Sequence, residues 1–133
     1  MNVWQDWANL LISIWFFFSP WILGFGGAAT TPQPAAGAAP VYPASVAAWN
    51  AWVLAVIVFV VTLSAIGRME FWQERVNLVL GAWIFAAPWA LGFATGPLPA
   101  ARWDHWVVGA LIFLIALSAL FTNPPTNVPV DRT

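Results

Sequence analysis

The sequence has very little charge. Its 133 residues contain no lysine, and 7% are charged whereas 62% are hydrophobic. A soluble domain typically has about 25% charged and about 45–50% apolar residues. The composition therefore excludes a soluble monomer, and the apolar excess also excludes a disordered chain. A net charge of −1 provides no field for nucleic acid or for anionic lipid.

Cysteine is absent as well. Its absence excludes disulfides, a thiol nucleophile and a Cys-ligated metal. The apolar runs also contain no acid–base pair, no nucleophile beside a base and no cluster of metal ligands. Because catalysis needs such groups close together, we expect a protein that is not an enzyme and has no metal site.

What the sequence does contain is four long uncharged runs. They predict transmembrane helices over residues 7–25, 48–66, 76–93 and 104–121. A bilayer core about 30 Å thick needs roughly 17–25 helical residues, and each run reaches that length once its flanking residues are counted. None of them alternates polar and apolar residues as a barrel strand does. The expected class is therefore an all-α integral membrane protein with four spans.

Outside the spans, composition predicts the remaining organisation. We expect one membrane domain over residues 1–121, an outer loop rich in Pro, Gly and Ala over 26–46, and a flexible tail over 122–133. The first span is not interpreted as a signal peptide, because Asp6 stands where a basic segment belongs.

The first and third runs are copies of each other. At an offset of 68 residues, Trp4–Phe25 aligns with Trp72–Phe93 with 11 identities in 22 positions. The second and fourth runs match at an offset of 54, where Trp49-x-x-Trp52 aligns with Trp103-x-x-Trp106. The repeating unit is thus a helical hairpin, present at 4–66 and 72–121. Since two helices are an even number, both hairpins enter the membrane from the same side, as a parallel repeat.

The end of the first run, Phe18–Phe25 (FSPWILGF), resembles the signature of the SPW-repeat family of small bacterial and archaeal membrane proteins. The second copy keeps Pro-Trp and Leu-Gly-Phe but has Ala87 in place of serine. The resemblance covers residues 4–121. It implies a compact helical module in a prokaryotic inner membrane, and it implies no reaction. The motif residues that we expect to have structural roles are Ser19, Pro20, Trp21, Gly24, Pro88, Trp89 and Gly92.

Each proline removes one helical hydrogen bond. Pro20 leaves the carbonyl of Phe16 without its donor, and the Ser19 hydroxyl is a candidate replacement. We interpret the motif as a kink or an early helix end, followed by a glycine that caps the helix or allows close packing. The alternative, a broken helix lining a substrate site, is less favoured because no polar cluster accompanies the break.

The chain has 11 tryptophans. Most fall at the predicted ends of the spans, as in an aromatic belt at the membrane interface. Trp15 and Trp83 lie mid-helix at equivalent places in the two copies, so we expect them to pack where the repeats meet. Stacking on a pigment or a quinone is the less favoured alternative.

Small residues recur at a spacing of four in two of the runs. They are Ala47, Ala51 and Ala55 in the second run, and Ala82, Ala86 and Ala90 in the third. Such stripes let helix backbones approach closely, either inside the bundle or against a partner subunit or a second copy.

Arginine placement predicts the orientation. Four spans put both termini and the loop 67–75 on one side, with Arg68, Arg75 and Arg132, while the other side has Arg102. The positive-inside rule then favours cytoplasmic termini.

The single histidine, His105, follows Asp104 at the predicted start of the last span. We interpret it as an interfacial histidine beside a helix-capping acid. A heme or chlorophyll ligand is an alternative, but no second axial ligand is placed to complete a heme site. A proton relay is weaker still, because no ionisable group continues the path through the bilayer.

These observations favour a structural or accessory subunit packed against a larger membrane complex. The alternatives are a pigment- or heme-associated protein using His105 and a small transporter or channel. A transporter needs polar groups at the midplane, where we find only hydroxyls such as those of Ser13 and Thr62.

Overall fold

A computed structural model describes residues 3–26, 43–66, 71–96 and 98–122. Within these ranges the chain forms helices and no strand. The helices are α1 (Val3–Ile22), α2 (Pro43–Ala65), α3 (Phe71–Ala90) and α4 (Pro99–Thr122). The all-helical class predicted from the sequence is confirmed.

Two helices start about one turn earlier than predicted. Both α2 and α4 begin at a proline, Pro43 and Pro99. Proline suits the first helical position because its missing N–H would have no intrahelical partner there. The predicted outer loop therefore ends at residue 42, and its remainder, 27–42, lies outside the described residues together with 67–70 and 123–133.

Helices α2 and α4 supply the two segments that are long and apolar enough to cross a membrane, Val46–Ala65 and Pro99–Thr122. Two of the four predicted spans thus meet the requirement of length and composition. The spans of α1 and α3 stay predictions, because polar residues lower the hydropathy of both helices.

In α1 these polar residues face inward. Its buried residues include Gln5, Asn9, Ser13 and Ser19, whereas Leu11, Ile14, Phe18 and several tryptophans are exposed. A helix in water has the opposite pattern, with apolar residues toward the core. A polar inner face and an apolar outer face suit a helix surrounded by lipid.

The four helices form a ring in the order α1, α2, α3, α4. The closest packing lies within the hairpins, between α3 and α4 and between α1 and α2. Looser contacts between α1 and α4 and between α2 and α3 join the two hairpins, and α2 also touches α4 across the centre. Side chains exchanged between α1 and α4, and between α2 and α3, therefore determine how the repeats fit together.

The second hairpin is held by a glycine contact that we did not predict. A Cβ atom added to Gly81 would lie 2.5 Å from the backbone N of Phe113, and one added to Gly109 would lie 2.4 Å from that of Phe85. The backbones of α3 and α4 therefore touch at this crossing. In the first hairpin the equivalent positions hold Ser13 and Ala55, both buried.

Gly81→Ala should loosen this hairpin. The added methyl group meets backbone atoms that cannot rotate away, so we expect the free energy of unfolding to fall by about 1–3 kcal/mol, the usual range for overpacking. Thermal unfolding in detergent followed by circular dichroism measures the loss. Ala82→Val, on the exposed side of the same helix, is the matched control and should change little. Equal losses of unfolding free energy in the two variants would contradict the backbone contact at Gly81.

Candidate functional site at the contact between the repeats

The Pro-Trp and Leu-Gly-Phe segments form the same helix end in both copies. The helix continues two residues past Pro20 or Pro88. Gly24 and Gly92 then take left-handed backbone conformations, with φ of 79° and 82°. A Cβ atom at either glycine would meet no atom within 4 Å. Backbone conformation and not close packing therefore accounts for both glycines, which confirms the predicted early helix end with a glycine cap.

A tight backbone hydrogen bond closes each turn. The N–H of Gly26 donates to the carbonyl of Pro20 at 2.6 Å, and that of Ala94 donates to Pro88 at 2.7 Å. The turns direct Phe25 and Phe93 back into the bundle, where both are almost fully buried. The Leu-Gly-Phe segment thus ends the helix and supplies one core side chain.

Both of these phenylalanines contact His105. Its ring lies 4.8 Å from that of Phe93, 5.0 Å from that of Phe16 and 6.3 Å from that of Phe25, between centroids. The His105 side chain is fully buried between the helices, a burial that its sequence position did not indicate, and its interfacial depth stays a prediction. Because α4 begins at Pro99, His105 lies in the second turn of the helix and not at its first residues.

The imidazole has one bonded nitrogen. Nδ1 lies 2.8 Å from the carbonyl oxygen of Ala101, which can only accept, so Nδ1 carries the hydrogen. Nε2 is buried without a hydrogen-bond partner. The described residues also contain no group of three His, Asp or Glu side chains suited to a metal ion.

The sequence position of Asp104 predicts a helix cap, and this prediction is wrong. The helix begins five residues earlier, and the Asp104 side chain points into the contact between the repeats, 6% exposed. Its carboxylate accepts hydrogen bonds from Trp15 Nε1 at 3.0 Å and from Ser19 Oγ at 2.5 Å. The serine of the family motif in the first repeat thus binds an acid of the second repeat.

Ser19 also partly compensates for the bond that Pro20 removes. Its Oγ lies 3.1 Å from the carbonyl oxygen of Phe16, as predicted for the carbonyl that loses its helical donor. The single hydroxyl hydrogen of Ser19 is therefore shared between the broken turn of α1 and the carboxylate on α4, and the shorter contact is the one to the carboxylate.

The second repeat makes the equivalent contact without charge. Trp83 Nε1 donates to Oδ1 of Asn50 on α2 at 3.3 Å, and Ala87 stands where the first copy has serine. The hydroxyl and the acid have thus been replaced together, by a methyl group and an amide. The predicted position of Trp15 and Trp83 at the contact between the repeats is confirmed.

At the opposite end of the bundle, the repeats exchange a second matched pair of bonds. Gln5 Nε2 donates to Ser118 Oγ at 3.1 Å, and Gln73 Nε2 donates to Ser64 Oγ at 3.3 Å. Both glutamines and both serines occupy equivalent positions in the two units. The two hairpins therefore meet with approximate two-fold symmetry.

Tryptophans stack in the same way in each hairpin. The rings of Trp21 and Trp52 lie 4.9 Å apart, and those of Trp89 and Trp106 lie 5.1 Å apart. The guanidinium of Arg102 lies 5.7 Å from the centre of the Trp106 ring and donates to the carbonyl of Ala94 at 2.8 Å. The tryptophan of the family motif is thus half of an aromatic pair that links the two helices of one hairpin.

Sequence reasoning missed the pairing of Ser19 with Asp104. A signal was present in the two alignments. Between the copies, serine changes to alanine at one position and aspartate changes to asparagine at another. These changes compensate each other only if the two positions touch, and the separate offsets of 68 and 54 hid that contact.

Architecture and motif together define a small helical membrane protein built from two homologous hairpins. Residues 3–119 match the SPW repeat domain, and the chain belongs to that family. No curated protein and no solved structure matches it.

The paired substitutions predict a measurable coupling. Ser19→Ala leaves the buried Asp104 carboxylate with one donor fewer, which should lower the free energy of unfolding by about 1–3 kcal/mol. Adding Asp104→Asn recreates the Ala87 and Asn50 combination, so the double variant should lose less than the sum of the two single losses. Thermal unfolding of the four proteins in detergent measures the coupling.

The second repeat supplies the control for that cycle. Asn50→Asp should destabilise the protein because no serine faces the new carboxylate, and Ala87→Ser should recover part of the loss. If the losses of unfolding free energy were strictly additive in both sets of variants, the contact between Ser19 and Asp104 would be contradicted.

The surroundings of Glu74 predict that the stability of the protein depends on pH. It precedes the predicted span 76–93, and burial together with the negative charge of Asp6 raises its pKa to about 7. The folded protein therefore holds this proton more tightly than the unfolded chain does. Stability is greatest below the unfolded pKa, about 4.5, and falls as the pH rises through 7. The melting temperature in detergent should be lower at pH 8 than at pH 5, and Glu74→Gln should reduce the difference. If the melting temperatures at pH 5 and pH 8 differed as much in Glu74→Gln as in the wild type, Glu74 would not be the group responsible.

Proposed function

We propose that this SPW-repeat protein is a non-catalytic accessory or scaffolding subunit of a larger membrane complex. It packs through α3 against a transmembrane helix of another subunit, and both its termini lie in the cytoplasm of a prokaryotic cell. The observation that carries the proposal is the exposed small-residue stripe on α3. Its members are Ala82, Ala86 and Ala90.

The other small-residue stripe is already used inside the bundle. Ala47, Ala51 and Ala55 on α2 are all buried, with 0–1% of their surface exposed. Small residues in membrane helices let backbones approach, and close packing is a main source of helix association in lipid. The stripe on α3 has the same spacing and faces away from the bundle, which suits contact with a further helix.

The equivalent face of α1 is different. At the offset of 68, the three alanines correspond to Ile14, Phe18 and Ile22, which are 41%, 51% and 62% exposed. Large apolar side chains are sufficient for contact with lipid, so lipid alone gives no reason for alanines on α3. The difference between otherwise similar repeats supports a specialised role for the α3 face.

The sides of the stripe supply contact area for a partner. Val79, Trp83, Phe85 and Trp89 are all exposed, between 42% and 67%. A partner helix resting on the alanines would be flanked by these larger side chains. Aromatic side chains of this size are common at the centre of protein interfaces.

Site-specific photo-crosslinking tests the proposal. Phe85, beside the stripe, and Phe18, on the equivalent face of α1, are each replaced by p-benzoylphenylalanine in the full-length protein. The two replacements conserve size, and both positions are exposed. Irradiation of membranes of the native host should give a discrete adduct with a different membrane protein from position 85 and none from position 18.

A second change makes the experiment specific for the stripe. Ala86→Leu should abolish the adduct at position 85, because the added bulk prevents backbone approach. The partner is identified by mass spectrometry of the adduct. Recovery of lipid adducts alone, or of a second copy of this chain alone, would contradict the role of accessory subunit.

A further inference from the structure

We propose that the tryptophan cluster of the first hairpin, formed by Trp21, Trp49 and Trp52, binds the primary ammonium of a phospholipid headgroup, as in phosphatidylethanolamine. The cluster lies at the end of the bundle where α1 ends and α2 begins. This function goes beyond that of an accessory subunit and does not depend on any partner protein.

The second hairpin contains an equivalent cluster with a cation in place. The Trp89 ring stacks on that of Trp106 at 5.1 Å and 29°, and the Trp103 ring is almost perpendicular to Trp106 at 5.2 Å and 85°. The guanidinium carbon of Arg102 lies 5.7 Å from the centre of the Trp106 ring. This distance is within the limit of about 6 Å for a cation–π contact. The cluster therefore attracts a positive charge, and α4 supplies it.

The cluster of the first hairpin has nearly the same geometry. The rings of Trp21 and Trp52 are 4.9 Å and 30° apart, and those of Trp49 and Trp52 are 5.4 Å and 83° apart. The centroid distances of the two clusters agree within 0.2 Å and the angles within 2°. Trp21 and Trp49 are exposed, so a ligand can reach this cluster from outside the bundle.

The first cluster has no cation of its own in the sequence. Ala48 stands at the position equivalent to Arg102, and the adjoining loop 26–46 contains no charged residue. The remaining arginines, Arg68, Arg75 and Arg132, belong to the opposite side of the predicted four-span arrangement. A cation over the first cluster therefore has to come from outside the chain.

A backbone carbonyl indicates what kind of cation fits. Arg102 donates to the carbonyl of Ala94 at 2.8 Å, in addition to its contact with the ring. The equivalent residue in the first hairpin is Gly26. The turns at Gly26 and Ala94 are closed by the same backbone bond, 2.6 Å and 2.7 Å long. A ligand that makes both of these contacts needs a positive charge and an N–H group. A primary ammonium has both, whereas the quaternary ammonium of choline has no N–H.

The position of the cluster favours a lipid as the source of this ammonium. The predicted span of α1 ends at residue 25, and tryptophans at the ends of membrane spans lie at the depth of the lipid headgroups. Trp21 and Trp49 are turned outward at this depth. A phospholipid beside the bundle thus presents its ammonium to the rings directly, so we assign the site to a headgroup and not to a dissolved amine.

Native mass spectrometry of the full-length protein in detergent tests the proposal. The probes are phosphatidylethanolamine and phosphatidylcholine with identical acyl chains. The protein should retain a single phosphatidylethanolamine about three- to tenfold more than phosphatidylcholine, which cannot donate to the carbonyl of Gly26. Equal retention of the two lipids would overturn the proposal.

Reciprocal changes at the two equivalent positions make the experiment specific. Ala48→Arg gives the first cluster an internal cation and should abolish the preference for phosphatidylethanolamine. Arg102→Ala empties the second cluster and should add a second retained lipid. Trp52→Leu should lower retention about threefold or more, because the ring that faces the cation is lost. Trp106→Leu is the matched control and should leave the retention by the first cluster within about twofold.

The folding of each variant is checked by helical circular dichroism before lipid is added. Ala48 is buried, and if Ala48→Arg fails to fold, the number of lipids retained by Arg102→Ala still tests the exchange of cations. The proposal is overturned if Trp52→Leu keeps the wild-type preference, or if Trp106→Leu lowers retention as much as Trp52→Leu does. An unchanged number of retained lipids in Arg102→Ala would equally contradict it.

Discussion

The hydrogen bonding of the buried Asp104 carboxylate is the interaction on which the arrangement of the two repeats most depends. A carboxylate that faces a hydrophobic bundle must be paired or hydrogen-bonded, since an isolated buried charge is very costly. Both of its donors, Trp15 and Ser19, come from the other repeat. Any shift of α1 along α4 would break both bonds together, so this contact fixes their register.

The family motif acquires a physical meaning from this contact. Pro20 leaves a carbonyl without its donor, and Ser19 shares its one hydroxyl hydrogen between that carbonyl and the acid. Gly24 then ends the helix so that Phe25 turns inward toward His105. In the second copy the proline and the glycine remain while the hydroxyl is lost. The helix end is therefore the shared element of the motif, and the serine is needed only where an acid faces it.

The sequence alone was sufficient for the helical class, the two-fold repetition and the glycine caps. These follow from local rules: span length, alignment, and the conformational freedom of glycine. It was insufficient for Asp104 and His105, because both assignments assumed that α4 starts at residue 104. With Pro99 as the first residue, the same two side chains move from the helix end into the core.

Inward-facing polarity also explains why hydropathy identifies α2 and α4 but not α1 and α3 as membrane spans. The buried face of α1 is a row of amides and hydroxyls, and its exposed face is almost entirely large and apolar. The mean hydropathy of a helix averages its polar and its apolar face, whereas in the predicted span only the apolar face would contact lipid. The polar side chains that lower the mean hydropathy of α1 thus include Gln5 and Ser19, which form the hydrogen bonds between the repeats. The predicted span of α1 therefore depends on its contacts with α4, which bond the inward-facing Gln5 and Ser19.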